Sequence, residues 1–315
     1  MLAIALRSFE WTFVKKPFKR YELPKLHQDT LIERRLSVSN VLLDALDLLF
    51  NQRGVGWSWS PNPFPRESSP PPSIASALAK ALLKLTAFDA SQCIIHYVCP
   101  SVNNPRGGSI FDPNRDLVHR ISLAAFSGIC GGVWAYTSVD SMYHVGAVVG
   151  RIVFRHPASL WPRVSNKPWM STSIHEFWSV RWHQLVRHLF VTFGARPGGM
   201  LFGKPGAFIG AFAVSAILHH VCLWGLGNGT EFVTAGGFFL LMGVGAVLEV
   251  AFKKVTGLRV QGWIGWLWTM AWTTTWGTLM IDGWARHGAF SNVFFPNRLR
   301  LGKMAVDGLI ALSGM

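Results

Sequence analysis

Long apolar runs alternate with short charged stretches along this chain of 315 residues. Three segments contain no Asp, Glu, Lys or Arg: 121–139 ("ISLAAFSGICGGVWAYTSV"), 205–230 ("PGAFIGAFAVSAILHHVCLWGLGNGT") and 260–281 ("VQGWIGWLWTMAWTTTWGTLMI"). A fourth, 232–248, extends to Phe252 across a single acid, Glu249. A helix needs roughly 20 apolar residues to cross about 30 Å of hydrocarbon. All four qualify, the first and fourth least comfortably. Residues 74–98 and 142–155 are weaker candidates. The former carries Lys80, Lys84 and Asp89; the latter is short and holds Arg151. The pattern predicts an all-α fold, a multi-pass transmembrane helical bundle, with residues 1–315 as a single membrane domain.

Residues 36–50 ("LSVSNVLLDALDLLF") are apolar with two aspartates and suit a surface or interfacial helix. The stretch 53–72 ("RGVGWSWSPNPFPRESSPPP") is rich in Pro, Ser and Trp and predicts a loop, its tryptophans at the membrane interface. The opening "MLAIALRSFEWTFVKK" is interrupted too soon for a signal peptide, and no small-residue cleavage site follows. No internal repeat is visible.

Composition sharpens this picture. The chain is 50% hydrophobic and 15% charged, against roughly 25% charged for an ordinary soluble domain. Lys and Arg number 30 against 16 Asp and Glu, a formal charge of +14. A nucleic-acid binder can be that basic, but is not usually this apolar. A positively flanked membrane protein explains both facts. The cysteines, Cys93, Cys99, Cys130 and Cys222, form no CxxC pair and are expected to be buried thiols without a bond or a metal.

Charge also gives orientation. Residues 151–204 hold Arg151, Arg155, Arg163, Lys167, Arg181, Arg187, Arg196 and Lys204, opposed only by Glu176. Residues 253–259 hold Lys253, Lys254 and Arg259. The spans 205–226 and 232–252 lie between them, so both basic loops fall on one side, which the positive-inside rule makes cytosolic.

The candidate chemistry is in two histidine stretches. In "HEFWSVRWHQLVRHLF" (175–190), a helix over 176–190 places Ser179, His183 and Arg187 on one polar stripe. Trp178, Trp182, Leu185 and Leu189 form an apolar stripe beside it. Two readings are open: a surface anchor with snorkelling arginines, or a helix presenting His183 and its arginines to a buried polar cavity. In "AVSAILHHVCLW", His219 lies roughly 20 Å along a helix counted from Pro205, near mid-membrane. An ionisable residue there marks a functional site by default. The alternative is a neutral histidine bonded to a neighbouring helix. Adjacent residues point about 100° apart, so only one of His219 and His220 faces a given cavity. Ser215, one turn earlier, is placed to orient His219. A di-iron site needs more histidines at usable spacing than are present. A transporter with a histidine relay remains an alternative.

These stretches resemble the membrane-bound O-acyltransferase family, in its fungal wax-synthase-like branch. "LWPRVSNKPWMSTSIHEFWSVRWHQLVR" (160–187) is similar to that branch's central signature: a Trp-Pro turn, a Ser/Thr-rich segment, then FW-x-x-RWHQ. "AVSAILHH" is similar to the second signature, a small-residue helix ending in the catalytic histidine. "RGVGWSW" (53–59) and "RSFEWTF" (7–13) resemble upstream segments. The sequence departs at His220, where many relatives carry Glu, at Ser179 for a common Gly, and at Arg163 for a common second Pro. Relatives often carry further membrane helices before the segment that begins here at residue 7.

The resemblance implies a helical bundle with interfacial helices and an internal tunnel. It implies His219 as the catalytic histidine and His183 at the second catalytic position. Arg181, Trp182 and Gln184 complete the first signature. With Arg187 they are the candidates for binding the acyl donor. The donor is an acyl-CoA co-substrate, acetyl-CoA first. No cofactor is permanently bound and no metal or nucleic acid is expected. The acceptor is a lipophilic alcohol such as a terpenoid, reached from the bilayer; long-chain wax or sterol ester formation is the second choice. The expected location is the endoplasmic reticulum membrane. Chemically, acyl transfer to a hydroxyl needs a base within hydrogen-bond reach, and a low-dielectric site keeps an imidazole neutral.

Overall fold

A computed structural model describes residues 2–21, 37–60, 73–291 and 293–313. The Pro- and Ser-rich end of the expected loop, 61–72, lies outside the described residues. The described residues form eight long helical elements and no strand: α1 (Leu2–Thr12), α2 (Val38–Phe50), α3 (Ile74–Val98), α4 (Leu117–Ile152), α5 (Arg187–Trp224), α6 (Phe232–Thr256), α7 (Gly262–Arg286) and α8 (Leu301–Ser313). Three of them, α4, α5 and α6, are long and apolar enough to cross a membrane. The protein is an integral membrane protein of the all-α class. Helix α7 has 25 residues, but its many Trp, Thr and Gly hold its hydropathy below the other three.

Two expected segments, 121–139 and 142–155, are one helix. Asp116 opens α4 by accepting the Val118 and His119 N–H groups, and the helix runs unbroken for 36 residues. Asp140 near its middle pairs with Lys84 of α3 at 3.0 Å, and Lys84 also donates to the Tyr136 hydroxyl at 2.6 Å. The single acid of α3, Asp89, binds Arg300 at 2.8 Å and accepts the Lys303 N–H of α8. Two of the three charges that weaken α3 as a span, Lys84 and Asp89, are thus paired inside the bundle, where an unpaired ion is costly, and Lys80 is exposed.

Helix α5 is not a single span. Phe202 and Gly203 leave helical geometry, with Gly203 at φ 63° and ψ −150°. The chain folds back there into a tight hairpin of limbs 187–201 and 204–224. A Cβ on Gly194 would lie 2.2 Å from the Gly210 carbonyl oxygen, and one on Gly198 equally close to that of Gly206. Only glycine permits this approach.

The core gathers Phe88, Ile95, Trp134, Phe212, Phe239, Met242, Ile281 and Phe290 from α3 to α7. Cys93, Cys99 and Cys130 are buried as expected, whereas Cys222 is exposed on α5. The two upstream motifs meet at the base of the hairpin: the Arg7 guanidinium stacks 3.9 Å over Trp59, and Glu10 and Trp59 both contact His188.

Candidate active site

The expected helix over 176–190 is broken, so its two stripes do not form. A single turn, Ile174–Glu176, opens under Ser173, whose hydroxyl accepts the Glu176 N–H. Glu176 reaches back to the Thr172 N–H (2.7 Å) and hydroxyl, a close relative of the capping box. A wide turn follows, in which the Trp182 N–H donates to the Phe177 carbonyl five residues back. Trp182 itself is extended. Residues 182–186 then pair with an upstream loop instead of their own helix: the Gln184 N–H donates to the Val164 carbonyl, and the Asn166 N–H to that of Arg181. Irregular backbone inside a membrane bundle needs such protein partners.

Glu249, the lone acid of its apolar run, explains where this segment docks. Its carboxylate accepts the Ile174 N–H at 2.6 Å, the His175 N–H at 3.1 Å and the Trp268 indole N–H at 3.0 Å. It caps the turn from across the bundle. In the sequence Glu249 interrupts an apolar run, and an acid within a span is a signal in itself.

The expected site residues separate into two sets. Arg181 is held by Glu176 at 2.7 Å and also donates to the Asn166 carbonyl. Burial works against ionisation of Glu176, but the Thr172 donors and Arg181 outweigh it and hold this carboxyl below its ordinary range. Gln184 donates to the Trp182 carbonyl, and Trp182 stacks on Phe177 at 5.4 Å. Arg181, Trp182 and Gln184 therefore brace the signature. Arg187 is exposed at the start of the hairpin.

His183 and His219 come together, close enough to interact electrostatically. The His183 Nδ1 is buried without a partner. The His219 ring stacks on Phe239 at 3.9 Å and lies nearly parallel to Trp284 at 6.4 Å. His219 Nδ1 sits 2.8 Å from the Ser215 carbonyl oxygen. A carbonyl can only accept, so this bond puts the proton on Nδ1 and leaves the Nε2 lone pair available. The expected orienting residue is Ser215, but it acts through its carbonyl; its hydroxyl is at 3.5 Å. His220 faces elsewhere, with Thr230 and Phe232 as neighbours.

A groove of about 500 Å³ opens where the Ile174 turn meets Glu249. Its charged and titratable lining is His175, Lys204, Glu249, Lys253 and Arg259. Lys204 from the first basic region thus meets Lys253 and Arg259 of the second at this groove. The intervening stretch is not a surface loop, because it runs from this groove to His183 beside His219 and returns along the first hairpin limb. Burial, with Arg187 acting in the same direction, lowers the His175 pKa and favours the neutral ring. A second groove of about 530 Å³ adjoins the first at Arg259. Neither groove is lined by His183 or His219. Among the described residues, no three His, Cys, Asp or Glu side chains are grouped to hold a metal ion.

The stretch from the Trp-Pro turn to the middle of α6, residues 161–241, matches the family model described as the membrane bound O-acyl transferase family. Both histidines lie within that segment. The chain is 25% identical over 193 residues to O-Mevalon transferase yanI of Aspergillus niger, covering 58% of this chain and 40% of that protein. It is 23% identical over 299 residues to O-Mevalon transferase macI of Penicillium terrestre, 86% of this chain and 68% of the relative. A plant relative, the long-chain-alcohol O-fatty-acyltransferase of Simmondsia chinensis, is 27% identical over 160 residues, 48% of this chain and 43% of its own length. The chain thus spans about two fifths of the first and third of these relatives.

Proposed function

We propose that this protein is a membrane O-acyltransferase that moves an acyl group, acetyl first, from acyl-CoA to a hydroxyl of a lipophilic acceptor such as a terpenoid. One observation carries the reading: His219 donates from Nδ1 to the Ser215 carbonyl and keeps Nε2 for a proton, beside His183 and among aromatic rings. In this scheme His219 removes the acceptor's hydroxyl proton as the oxygen attacks the thioester carbonyl. His183 borders the same site and orients the acceptor. The donor's phosphates rest at the groove of Lys204, Lys253 and Arg259, with Arg187 nearby. From Lys204 to His219 is 15 residues of helix, about 22 Å, the reach asked of the extended pantetheine arm. A passage from the groove to His219, with the acceptor entering from the bilayer, completes the scheme. The setting is the endoplasmic reticulum membrane.

A second substrate pair is favoured by the Simmondsia chinensis relative: a long-chain acyl-CoA with a fatty or sterol alcohol. Microsomes containing the protein, given acetyl- or palmitoyl-CoA with terpenoid, fatty and sterol alcohols, decide between them by mass spectrometry of the esters. Acetyl esters are expected. Palmitoyl esters alone select the second pair, and no ester from any pair overturns the enzymatic reading in favour of a transporter or scaffold.

A further inference from the structure

The surroundings of His183 and His219 hold several unpaired hydrogen-bond donors. The indole nitrogens of Trp134, Trp178 and Trp284 are buried and have no partner, as has Nδ1 of His183. An indole N–H can only donate. Buried polar groups in folded proteins are nearly always paired, so several orphans around one histidine ask for an explanation. The rings form a continuous cluster: Trp284 lies against His219, Trp134 against Trp284, and Trp178 against Phe239, which stacks on His219. The three indole donors outnumber the acceptor nitrogens that the two neutral imidazoles offer, and a carbonyl oxygen gaining negative charge is a further acceptor.

The three tryptophans are not equivalent. Trp178 reaches His219 only through Phe239, and its ring is occupied by contacts with Phe177, Trp182, Phe212 and Phe238. Trp134 reaches it only through Trp284. Trp284 is the direct neighbour, its ring 25° from parallel to the imidazole. It comes from α7, outside the family-matched segment 161–241.

We propose that the Trp284 indole N–H binds the acyl carbonyl oxygen as charge develops there, so that Trp284 is a catalytic residue beside His219. The assignment rests on the acyl-transfer reading above. The acceptor oxygen forms a bond to the thioester carbon, and His219 Nε2 takes the hydroxyl proton. The carbonyl π pair moves onto oxygen, where the indole N–H meets it. The intermediate then re-forms the carbonyl, the C–S bond breaks with its electron pair on sulfur, and His219 returns its proton to the thiolate. Ester and free coenzyme A thiol leave, and the residues end as they began. A fixed donor in a site without water is worth far more to such an oxyanion than the same donor in solution.

The test uses the purified full chain in detergent, with an acyl-CoA and alcohol that the wild type turns over. Trp284→Phe keeps a ring on His219 and removes the N–H. Its kcat is expected to fall about 100-fold, with KM for acyl-CoA within about twofold and the pH profile unmoved because His219 is intact. Trp178→Phe is expected to stay within about threefold of wild type. Full activity in Trp284→Phe, or an equal loss in Trp178→Phe, overturns the assignment while leaving the acyl-transfer reading in place. Should Trp284→Phe not yield folded protein, Trp284→His restores a ring N–H and is expected to keep more than a tenth of wild-type kcat; activity as low as in Trp284→Ala overturns the proposal. A wild type that transfers no acyl group from any CoA thioester removes both readings together.

Discussion

The histidine cluster and the basic groove share the helical limb 204–224 and are built from opposite materials. Lys204 opens the limb at the groove, beside Lys253 and Arg259. Fifteen residues later, His219 is surrounded by Phe239, Trp284 and a second imidazole, with no formal charge among them. Charge is placed where water can solvate it, and neutral polar groups where it cannot. A polyanionic donor suits the first environment and a proton-accepting imidazole the second. If both are one site, perturbing each should leave distinct kinetic marks.

The largest effect is expected at His219. Replacing it by Ala should lower transfer by about 10²–10⁴-fold, the usual contribution of a general base, with the protein still inserted in the membrane. His220→Ala should change activity by less than about threefold, because its partners are Thr230 and Phe232 and not the rings around His219. Ester production in microsomes, normalised to protein by immunoblot, measures both. A dead His220 variant beside an active His219 variant reverses the assignment.

Next comes the hairpin that joins pocket to groove. Gly206→Leu places a side chain where even a Cβ would be 2.2 Å from the Gly198 carbonyl oxygen. The limbs must part, and folded yield in fluorescence-detected size exclusion should fall several-fold. The same change at Gly308, where a Cβ meets nothing, should leave yield unaltered.

At the groove, Lys253→Ala with Arg259→Ala should raise KM for acyl-CoA by about tenfold, near the loss of one to two exposed charge contacts, and leave kcat and the acceptor KM nearly unchanged. The effect should shrink as salt rises. Arg181→Ala should behave differently, lowering folded yield and activity towards both substrates together, because Arg181 is bound to Glu176 and the Asn166 carbonyl. An Arg181 variant altered only in acyl-CoA KM would move the donor site from the groove to the signature.

How much of this was legible before the structure depends on the kind of signal. The apolar runs located α6, α7 and the second limb of α5, because burial in lipid writes itself into composition. His219 stood out as a candidate for the same reason, an imidazole within an uncharged run. Three things were hidden. The hairpin tip at Phe202–Gly203 follows a stretch that reads as a loop, and only the glycine spacing of 194, 198, 206 and 210 marks the fold-back. The break at 182–186 has no Pro or Gly to announce it, since tertiary pairing with 164–166 overrides a good helical pattern. Glu249 caps a turn some 75 residues away in sequence, a partnership no local window contains. Arg181, Trp182 and Gln184 were legible as a signature, but their contacts with Glu176, the Asn166 carbonyl, Phe177 and the Trp182 carbonyl were not, because a motif does not record what its side chains touch.

The smallest expected effect tests whether that bracing is electrostatic. Glu176 has its pKa depressed by the Thr172 donors and Arg181 against the opposing pull of burial. A carboxyl with a lowered folded-state pKa adds stability above its unfolded value, about 4.3, and loses it as pH falls through the lowered folded value. The melting temperature of the wild type in detergent should therefore exceed that of Glu176→Gln by about 2 °C at pH 7. The difference should persist down to about pH 5 and close as the solution becomes more acidic, once Glu176 is protonated in both states. His183 and His219 are unchanged in this variant, so kcat at pH 7 should fall less than about threefold. A melting difference that grows towards acid pH would show that the opposing burial dominates. Glu176 would then be a liability that the signature tolerates, and the separation of bracing residues from reacting ones would have to be drawn elsewhere.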